Sequence, residues 1–275
     1  MTLPSWVAPG SAVLFCAACA WLQSPSEHAQ TLAEAAGYVQ FAVPDARLRA
    51  YVKRAAPGTN GARVTVYVES DGAPWRFTDE PPADPTPLKP LVLRMALDDP
   101  APATAYLARP CQYLSDADLL KCDPQLWMRG RFGNEAVAAM NTAIDQIKRG
   151  LNAREIDLVG YSGGGAMAAL IAARRSDVGC LVTIAAPLDT AAWTDALRVS
   201  RLDLSLNPAD TADRLRSVRQ THFRGLRDKL VPAMTASRFL AQAPAATVID
   251  KENFDHQCCW AEEWKELRRA SCLAQ

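Results

Sequence analysis

The sequence predicts one α/β domain with a mostly parallel central sheet and helices on both of its faces. Short runs of β-branched and apolar residues alternate along the chain with longer segments of helical periodicity. Strands that alternate with helices form parallel sheets covered on both faces. The chain has 275 residues, of which 49% are hydrophobic, and this is enough to build one sizeable core.

The predicted elements follow from these patterns in chain order. Two antiparallel edge strands are expected at residues 37–43 and 48–52, where apolar and polar residues alternate. Further strands are predicted at residues 63–69, 104–108, 155–159, 179–184, 221–225 and 246–249. Helices are predicted at residues 91–97, 137–151, 166–173, up to about 240 and from about Trp260 onward, with mixed helix and loop at 190–219.

The charge composition of the chain argues against a nucleic acid partner. The chain carries 30 basic and 30 acidic residues, and its formal net charge is zero. The basic residues are scattered and form no stripe that would attract a phosphate backbone. We therefore expect no nucleic acid partner, and no pattern indicates an oligomeric state.

Residues 1–22 are predicted to be a signal peptide or a lipoprotein leader. The apolar run from Ser11 to Leu22 is about a dozen residues long, whereas a membrane span needs about twenty. Cleavage would fall among the small residues around Cys19, or lipidation of Cys19 would anchor the chain to a membrane. No Lys or Arg precedes the run, which is atypical of a leader. We expect a single domain at residues 23–275 that is periplasmic or secreted, either free or as a lipoprotein.

Gly160-Tyr161-Ser162-Gly163-Gly164 lies between a predicted buried strand and a helix of small residues. Strand, G-x-S-x-G and helix together are the context of a nucleophile elbow. So sharp a turn holds the serine in a strained conformation, and its glycines let the two backbones approach. Ser162 is therefore the predicted nucleophile, and the alternative is a glycine-rich turn with an incidental serine.

A serine nucleophile needs a base, and the base needs an acid that orients it. Of the three histidines, His28 lies in a start expected to lack regular structure, and His222 lies within a strand as an expected core residue. His256 follows the end of a strand, where the active-site loops of open α/β sheets lie. Asp228, in the loop after the preceding strand, is the predicted acid, and Asp255 is its rival.

The order Ser162, Asp228, His256 resembles that of the α/β-hydrolase superfamily. The resemblance covers roughly residue 39 to the C-terminus and is carried by residues 160–164, 225–232 and 255–256. It implies a serine hydrolase that cleaves a carboxylic ester or thioester through an acyl-enzyme, with no cofactor and no metal. A peptidase of the same fold and a non-catalytic binding protein are the alternatives.

The resemblance also implies an oxyanion hole. One donor is the backbone N–H of Gly163, and the second comes from the loop after the third strand. Many family members carry His-Gly in that loop, whereas this chain has Glu69-Ser70-Asp71-Gly72, so the second donor is Ser70, Asp71 or Gly72. Together with residues 84–87 and 109–113, this loop resembles a bacterial envelope branch of the superfamily, which implies no substrate. Residues 109–113 are either a disulfide-anchored turn or a substrate contact.

The resemblance also implies a short lid at about residues 190–219, because the cover over the nucleophile usually follows the sixth strand in the fold that this chain resembles. Its apolar residues are interrupted by charged ones, which favours short acyl esters over long-chain lipids. The alternative is that these residues simply pack on the sheet.

The six cysteines beyond the leader favour an oxidising compartment, because their number is even. Cys111 and Cys122 flank one polar loop and are predicted to pair. Cys180 begins a strand and Cys272 ends the last helix, so both are expected at the end of the sheet opposite the active site, where they could pair. Cys258 and Cys259 have no predicted partner.

Overall fold

The computed structural model describes residues 23–56, 62–73 and 82–274. The predicted leader at residues 1–22 lies outside the described residues. Within these ranges, eight strands form one sheet in the order β1-β2-β4-β3-β5-β6-β7-β8. The strands are β1 (Val39–Gln40), β2 (Ala50–Lys53), β3 (Arg63–Val68), β4 (Thr104–Leu107), β5 (Glu155–Tyr161), β6 (Val178–Ile184), β7 (Arg219–Gly225) and β8 (Thr247–Lys251).

The sheet is parallel from β4 to β8, as predicted. Strands β1 and β2 pair antiparallel at one edge, and β2 joins the rest of the sheet antiparallel to β4. All other neighbouring strands pair parallel. The carboxyl ends of β3, β5, β7 and β8 therefore meet at one edge of the sheet, where ligand sites of open α/β sheets form.

Helices cover both faces of this sheet. They are α1 (Pro25–Ala35), α2 (Leu91–Leu97), α3 (Asp116–Leu119), α4 (Asn134–Gly150), α5 (Gly163–Ala172), α6 (Thr190–Leu197), α7 (Ser237–Ala241) and α8 (Trp264–Ala270). Successive strand residues point to opposite faces of the sheet, and each face has its own hydrophobic core. Val66 lies in the core with residues of α4 and α5, and its neighbour Tyr67 lies in the core with residues of α1, α2 and α8. The predicted α/β fold class is confirmed.

The start of the described chain was predicted wrongly. Residues 25–35, expected to lack regular structure, form α1. Ser24 caps the backbone N–H of Glu27, and the Glu27 carboxylate in turn accepts from the backbone N–H of Ser24. This reciprocal pair is a capping box, and the sequence Ser24-Pro25-Ser26-Glu27 matches its pattern. The last helix also begins later than predicted, at Trp264.

The cysteines of the described chain lie in three pairs. Cys111 pairs with Cys122, with their Cα atoms 6.2 Å apart, as the sequence predicts. Cys180 at the start of β6 pairs with Cys272 after α8, which is the second pairing the sequence allows. The third pair joins the neighbours Cys258 and Cys259.

Residues 190–219 comprise α6 followed by irregular chain with short 3₁₀ turns. Ala209, Ala212 and Leu215 are buried in the core on the α4 and α5 face of the sheet. At the other end of the segment, the Trp193 indole N–H donates to the carbonyl of Leu230 at 2.7 Å. Part of the segment thus packs on the body of the domain, and its role as a cover stays a prediction. No helix in the described ranges is long and apolar enough to span a membrane.

Candidate active site

The turn from β5 into α5 carries Ser162 in a strained conformation, with φ of 53° and ψ of −129°. Such values are costly for a residue with a side chain and cluster at functional sites. The Ser162 N–H donates to the carbonyl of Ile184 on β6 at 2.8 Å, which fixes the turn to the sheet. A Cβ at Gly160 would lie 2.3 Å from the carbonyl oxygen of Gly164, so only glycine permits this approach of strand and helix.

Three side chains predicted from different parts of the sequence meet at this turn. The Ser162 Oγ lies 3.0 Å from Nε2 of His256. The other ring nitrogen of His256, Nδ1, lies 2.8 Å from Oδ2 of Asp228. With Nδ1 protonated and donating to the carboxylate, Nε2 is free to accept the hydroxyl proton. This arrangement can deprotonate the serine during attack on a carbonyl.

The loop after β7 holds the Asp228 carboxylate in place. Its second oxygen, Oδ1, accepts from the backbone N–H groups of Leu230 and Val231, each at 2.8 Å. Asp228 is buried. Its two oxygens therefore have separate partners, one in its own loop and one on the imidazole.

The loop after β8 is held through the backbone of His256. The carbonyl of His256 accepts from the Tyr161 hydroxyl at 2.5 Å and from the Trp260 indole N–H at 3.1 Å. The Tyr161 ring also lies beside the imidazole, with centroids 5.3 Å apart. Sequence analysis assigned no role to Tyr161 or Trp260, although Tyr161 immediately precedes Ser162.

Asp255, the rival acid, accepts hydrogen bonds from its own loop. Its Oδ1 accepts from the backbone N–H groups of Gln257 and Cys258, each at 2.8 Å. These hydrogen bonds stabilise the ionised form and lower the pKa of the exposed Asp255 carboxyl.

The two other histidines lie elsewhere in the structure. His28 is exposed on α1. His222 is buried in β7, as expected of a core residue, with Nδ1 2.7 Å from the Thr183 hydroxyl and Nε2 3.2 Å from the Gln220 side-chain oxygen. Burial disfavours its charged form and lowers its pKa to about 3.

The loop after β3 leaves one backbone N–H without an acceptor in the described chain. The N–H of Ser70 donates to the Glu69 carboxylate at 2.7 Å, and that of Gly72 donates to the Ser70 hydroxyl at 3.3 Å. The N–H of Asp71 donates to no acceptor among the described residues. The N–H of Gly163, at the first position of α5, likewise has no intrahelical acceptor.

Residues 109–113 make hydrogen bonds that hold this loop in place. The Gln112 amide nitrogen donates to the carbonyls of Ser70, at 3.1 Å, and Pro85, at 3.3 Å. The N–H of Tyr113 donates to the Thr86 hydroxyl at 2.8 Å, which ties in the loop at residues 84–87. Arg109, Gln112 and Tyr113 are buried, so their contacts in the structure are to the protein.

The side chain of Asp71 lies against Gly163 and is paired with two arginines. A Cβ at Gly163 would lie 2.0 Å from Oδ1 of Asp71. That oxygen is 3.0 Å from Nη1 of Arg109, and Oδ2 is 3.1 Å from Nη1 of Arg131. Sequence analysis did not single out Arg131. Across the described ranges, no group of three or more His, Cys, Asp or Glu side chains is arranged to hold a metal ion.

Comparison with known proteins supports the resemblance seen in the sequence. A sequence model described as the alpha/beta hydrolase fold matches residues 99–223, which include β5, the Ser162 turn and most of β7. The chain has the α/β-hydrolase fold. The loops carrying Asp228 and His256 lie beyond the matched residues. Comparison with curated protein sequences finds no match.

Solved structures of low sequence identity share the fold of this chain. An esterase from Pyrococcus furiosus superposes with a TM-score of 0.58 at 12% identity, covering 87% of this chain and 95% of its own. A mutant of puromycin hydrolase gives a TM-score of 0.60 at 18% identity over 85% of this chain. The acylaminoacyl peptidase of Pyrococcus horikoshii gives 0.60 at 13% identity over 86% of this chain. The chain spans only 37% of the puromycin hydrolase and 42% of the peptidase.

Proposed function

We propose that this α/β-hydrolase is a serine hydrolase that cleaves a carboxylic ester or thioester through an acyl-enzyme. The observation that carries the proposal is the continuous chain of polar contacts from the Ser162 hydroxyl through His256 to Asp228. The strained serine at the head of α5 supports it, because backbone strain of this kind is retained where function requires it.

In the proposed reaction, the Ser162 Oγ attacks the ester carbonyl while Nε2 of His256 takes the hydroxyl proton. Asp228 keeps the proton on Nδ1 and stabilises the imidazolium that forms. The imidazolium then protonates the leaving alcohol or thiol. Water attacks the acyl-serine with His256 again as base, and Ser162 is released as the free hydroxyl.

The tetrahedral intermediates carry a negative oxygen that needs hydrogen-bond donors. The N–H of Gly163 is one proposed donor, and the partial positive charge at the head of α5 favours an anion there. Of the three N–H groups in residues 70–72, that of Asp71 lacks an acceptor in the described chain and is the proposed second donor. Each such donor contributes on the order of 3 kcal/mol to the transition state.

A serine peptidase is the second candidate function. It is favoured by the likeness of the fold to an acylaminoacyl peptidase, whereas the likeness to the Pyrococcus furiosus protein, an esterase, favours ester cleavage. A binding protein without turnover would need neither the strained Ser162 nor its contact with His256.

A matched pair of substrates tests the proposal. p-Nitrophenyl acetate and p-nitroacetanilide differ only in the scissile bond, and we expect turnover of the ester to dominate. Ser162→Ala should abolish that turnover, whereas Ser176→Ala, at an exposed serine after α5, should leave it unchanged. Turnover of the anilide at the rate of the ester would favour the peptidase, and no turnover of either would oppose both candidates.

A further inference from the structure

The carboxylate of Asp71 lies beside Gly163, where a negative charge would disfavour the proposed reaction. Its Oδ1 takes the space of a Cβ on Gly163, the residue whose N–H is a proposed oxyanion donor. An unpaired carboxylate so close to a developing oxyanion would raise the energy of the transition state, since like charges repel strongly in a partly buried site. The site therefore requires positively charged groups that offset the negative charge of Asp71.

Two guanidinium groups from separate parts of the chain meet that requirement. Arg109 follows β4 and Arg131 precedes α4, and each donates to a different oxygen of Asp71. The Arg109 side chain is only 4% exposed, and that of Arg131 is 12% exposed. Arg109 also donates to the backbone carbonyl of Arg131, so the two arginines and the aspartate form one connected cluster.

Charge in this cluster is in positive excess. Two arginines, which stay protonated in proteins, face one aspartate. A further acid, Glu69, is buried and accepts from the Tyr106 hydroxyl at 2.8 Å. Burial raises the pKa of Glu69, whereas its hydrogen bonds from Ser70 and Tyr106 act in the opposite direction.

The cluster also fixes the loop that carries the unpaired N–H. Both oxygens of Asp71 accept from charged donors, and such charge-assisted hydrogen bonds are stronger than neutral ones. The backbone of Asp71 is thereby restrained next to Gly163. One set of contacts thus sets both the position of the N–H and the sign of the local charge.

We propose that Arg109 and Arg131 are positioning residues of the oxyanion hole, which act through Asp71 by offsetting its charge and fixing its backbone N–H. The inference rests on the proposed function. It differs from a purely structural clamp in one respect. Removing the carboxylate should compensate for removing an arginine, whereas in a purely structural clamp Asp71→Asn would also weaken the contact with Arg109 and lower kcat further.

Arg131 gives the practical test, since it is less buried than Arg109. With p-nitrophenyl acetate, Arg131→Gln should lower kcat by about tenfold to a hundredfold and change KM by less than about threefold. The reason is that the backbone N–H of Asp71 would no longer stabilise the oxyanion, and an interaction lost only in the transition state lowers kcat. Arg131→Lys restores the charge and should recover most of the lost kcat. Arg129→Gln is the matched control, because Arg129 is an exposed arginine whose one charged partner among the described residues is Asp203, at the surface. Its kcat should equal that of wild type.

The decisive variant combines Arg131→Gln with Asp71→Asn, which returns the cluster to its original excess of one positive charge. We expect kcat of the double variant to exceed that of Arg131→Gln alone. The inference would be overturned if kcat of the double variant did not exceed that of Arg131→Gln, or if Arg131→Gln had the kcat of wild type. Either result leaves the proposed function intact, provided that the wild type turns over the ester. If Arg131→Gln does not fold, Arg131→Lys decides, since a folded lysine variant with a tenfold lower kcat would contradict the charge argument. A wild-type protein without Ser162-dependent turnover would remove the proposed function, and the inference with it.

Discussion

Asp228 and His256 are joined by a 2.8 Å contact between Oδ2 and Nδ1, although 28 residues separate them in the chain. Asp255, the direct neighbour of His256, instead accepts two backbone N–H groups of its own loop. The contact therefore links the loops after β7 and β8. It also singles out Asp228 as the carboxylate able to orient the imidazole.

The first prediction contrasts these two carboxylates. Asp228→Asn should lower kcat on p-nitrophenyl acetate by about 10³- to 10⁴-fold, because an amide can hold the imidazole in the wrong tautomer. Asp255→Asn keeps its hydrogen-bond acceptor and should change kcat by no more than about threefold, in the range of surface substitutions. Steady-state kinetics of both variants measure the contrast. Equal losses in the two variants would contradict the assignment of Asp228.

Local patterns in the sequence predicted the sheet and the meeting of Ser162, Asp228 and His256. Strand ends, turn residues and chain order are local signals, and a parallel sheet then brings the strand ends together. The contact of Arg131 with Asp71 spans 60 residues and leaves no local signal, so the sequence did not indicate it. Helix α1 was missed for another reason. Its capping box was present, but the side chains that it buries are alanines, which leave little apolar periodicity to detect.

The second prediction concerns acyl chain length. We expect kcat/KM on p-nitrophenyl esters to level off or fall beyond a handful of carbons, because part of the segment at residues 190–219 packs on the domain and leaves little apolar surface for a long tail. Each methylene that the protein did bury would contribute about 0.8 kcal/mol. A series from acetate to palmitate measures this. A steady rise to palmitate, with activation at a lipid interface, would identify a lipase with a larger cover.

The third prediction concerns the disulfides. Peptide mapping of non-reduced protein from the cell envelope should give the linkages Cys111–Cys122, Cys180–Cys272 and Cys258–Cys259. Replacing Cys111 and Cys122 together by serine should lower the free energy of unfolding by roughly 3 kcal/mol in the chain-entropy model. Six free thiols in that preparation would contradict both the pairing and the expected export.

The fourth prediction concerns the pH dependence of stability. Burial lowers the pKa of His222 to about 3, below the value of about 6.5 in the unfolded chain, so between these values the unfolded state binds more protons. His222 thus makes the free energy of unfolding fall as pH falls through this window, by up to about 1.4 kcal/mol per pH unit. Asp157, whose pKa burial raises to about 6, acts with the opposite sign between about pH 4 and 6.

Urea unfolding of wild type and His222→Gln at pH 7, 6, 5 and 4 isolates this contribution, since Asp157 is present in both proteins. Glutamine has polar side-chain atoms, as histidine does, but does not titrate in this range. The difference in the free energy of unfolding should shift in favour of the variant as pH falls. A difference that stays constant from pH 7 to 4 would show that His222 does not titrate as described.

The most direct test of the whole account is labelling by a fluorophosphonate, which phosphonylates a serine only when a neighbouring base activates it. Intact mass and peptide mapping should place one adduct on Ser162 in the wild type, and Ser162→Ala should carry none while keeping the circular dichroism of the folded protein. His256→Gln should slow the labelling by orders of magnitude, because the base is gone. Labelling of Ser162→Ala at the wild-type level, or a wild-type protein that takes up no label, would contradict the claim that Ser162 is an activated nucleophile.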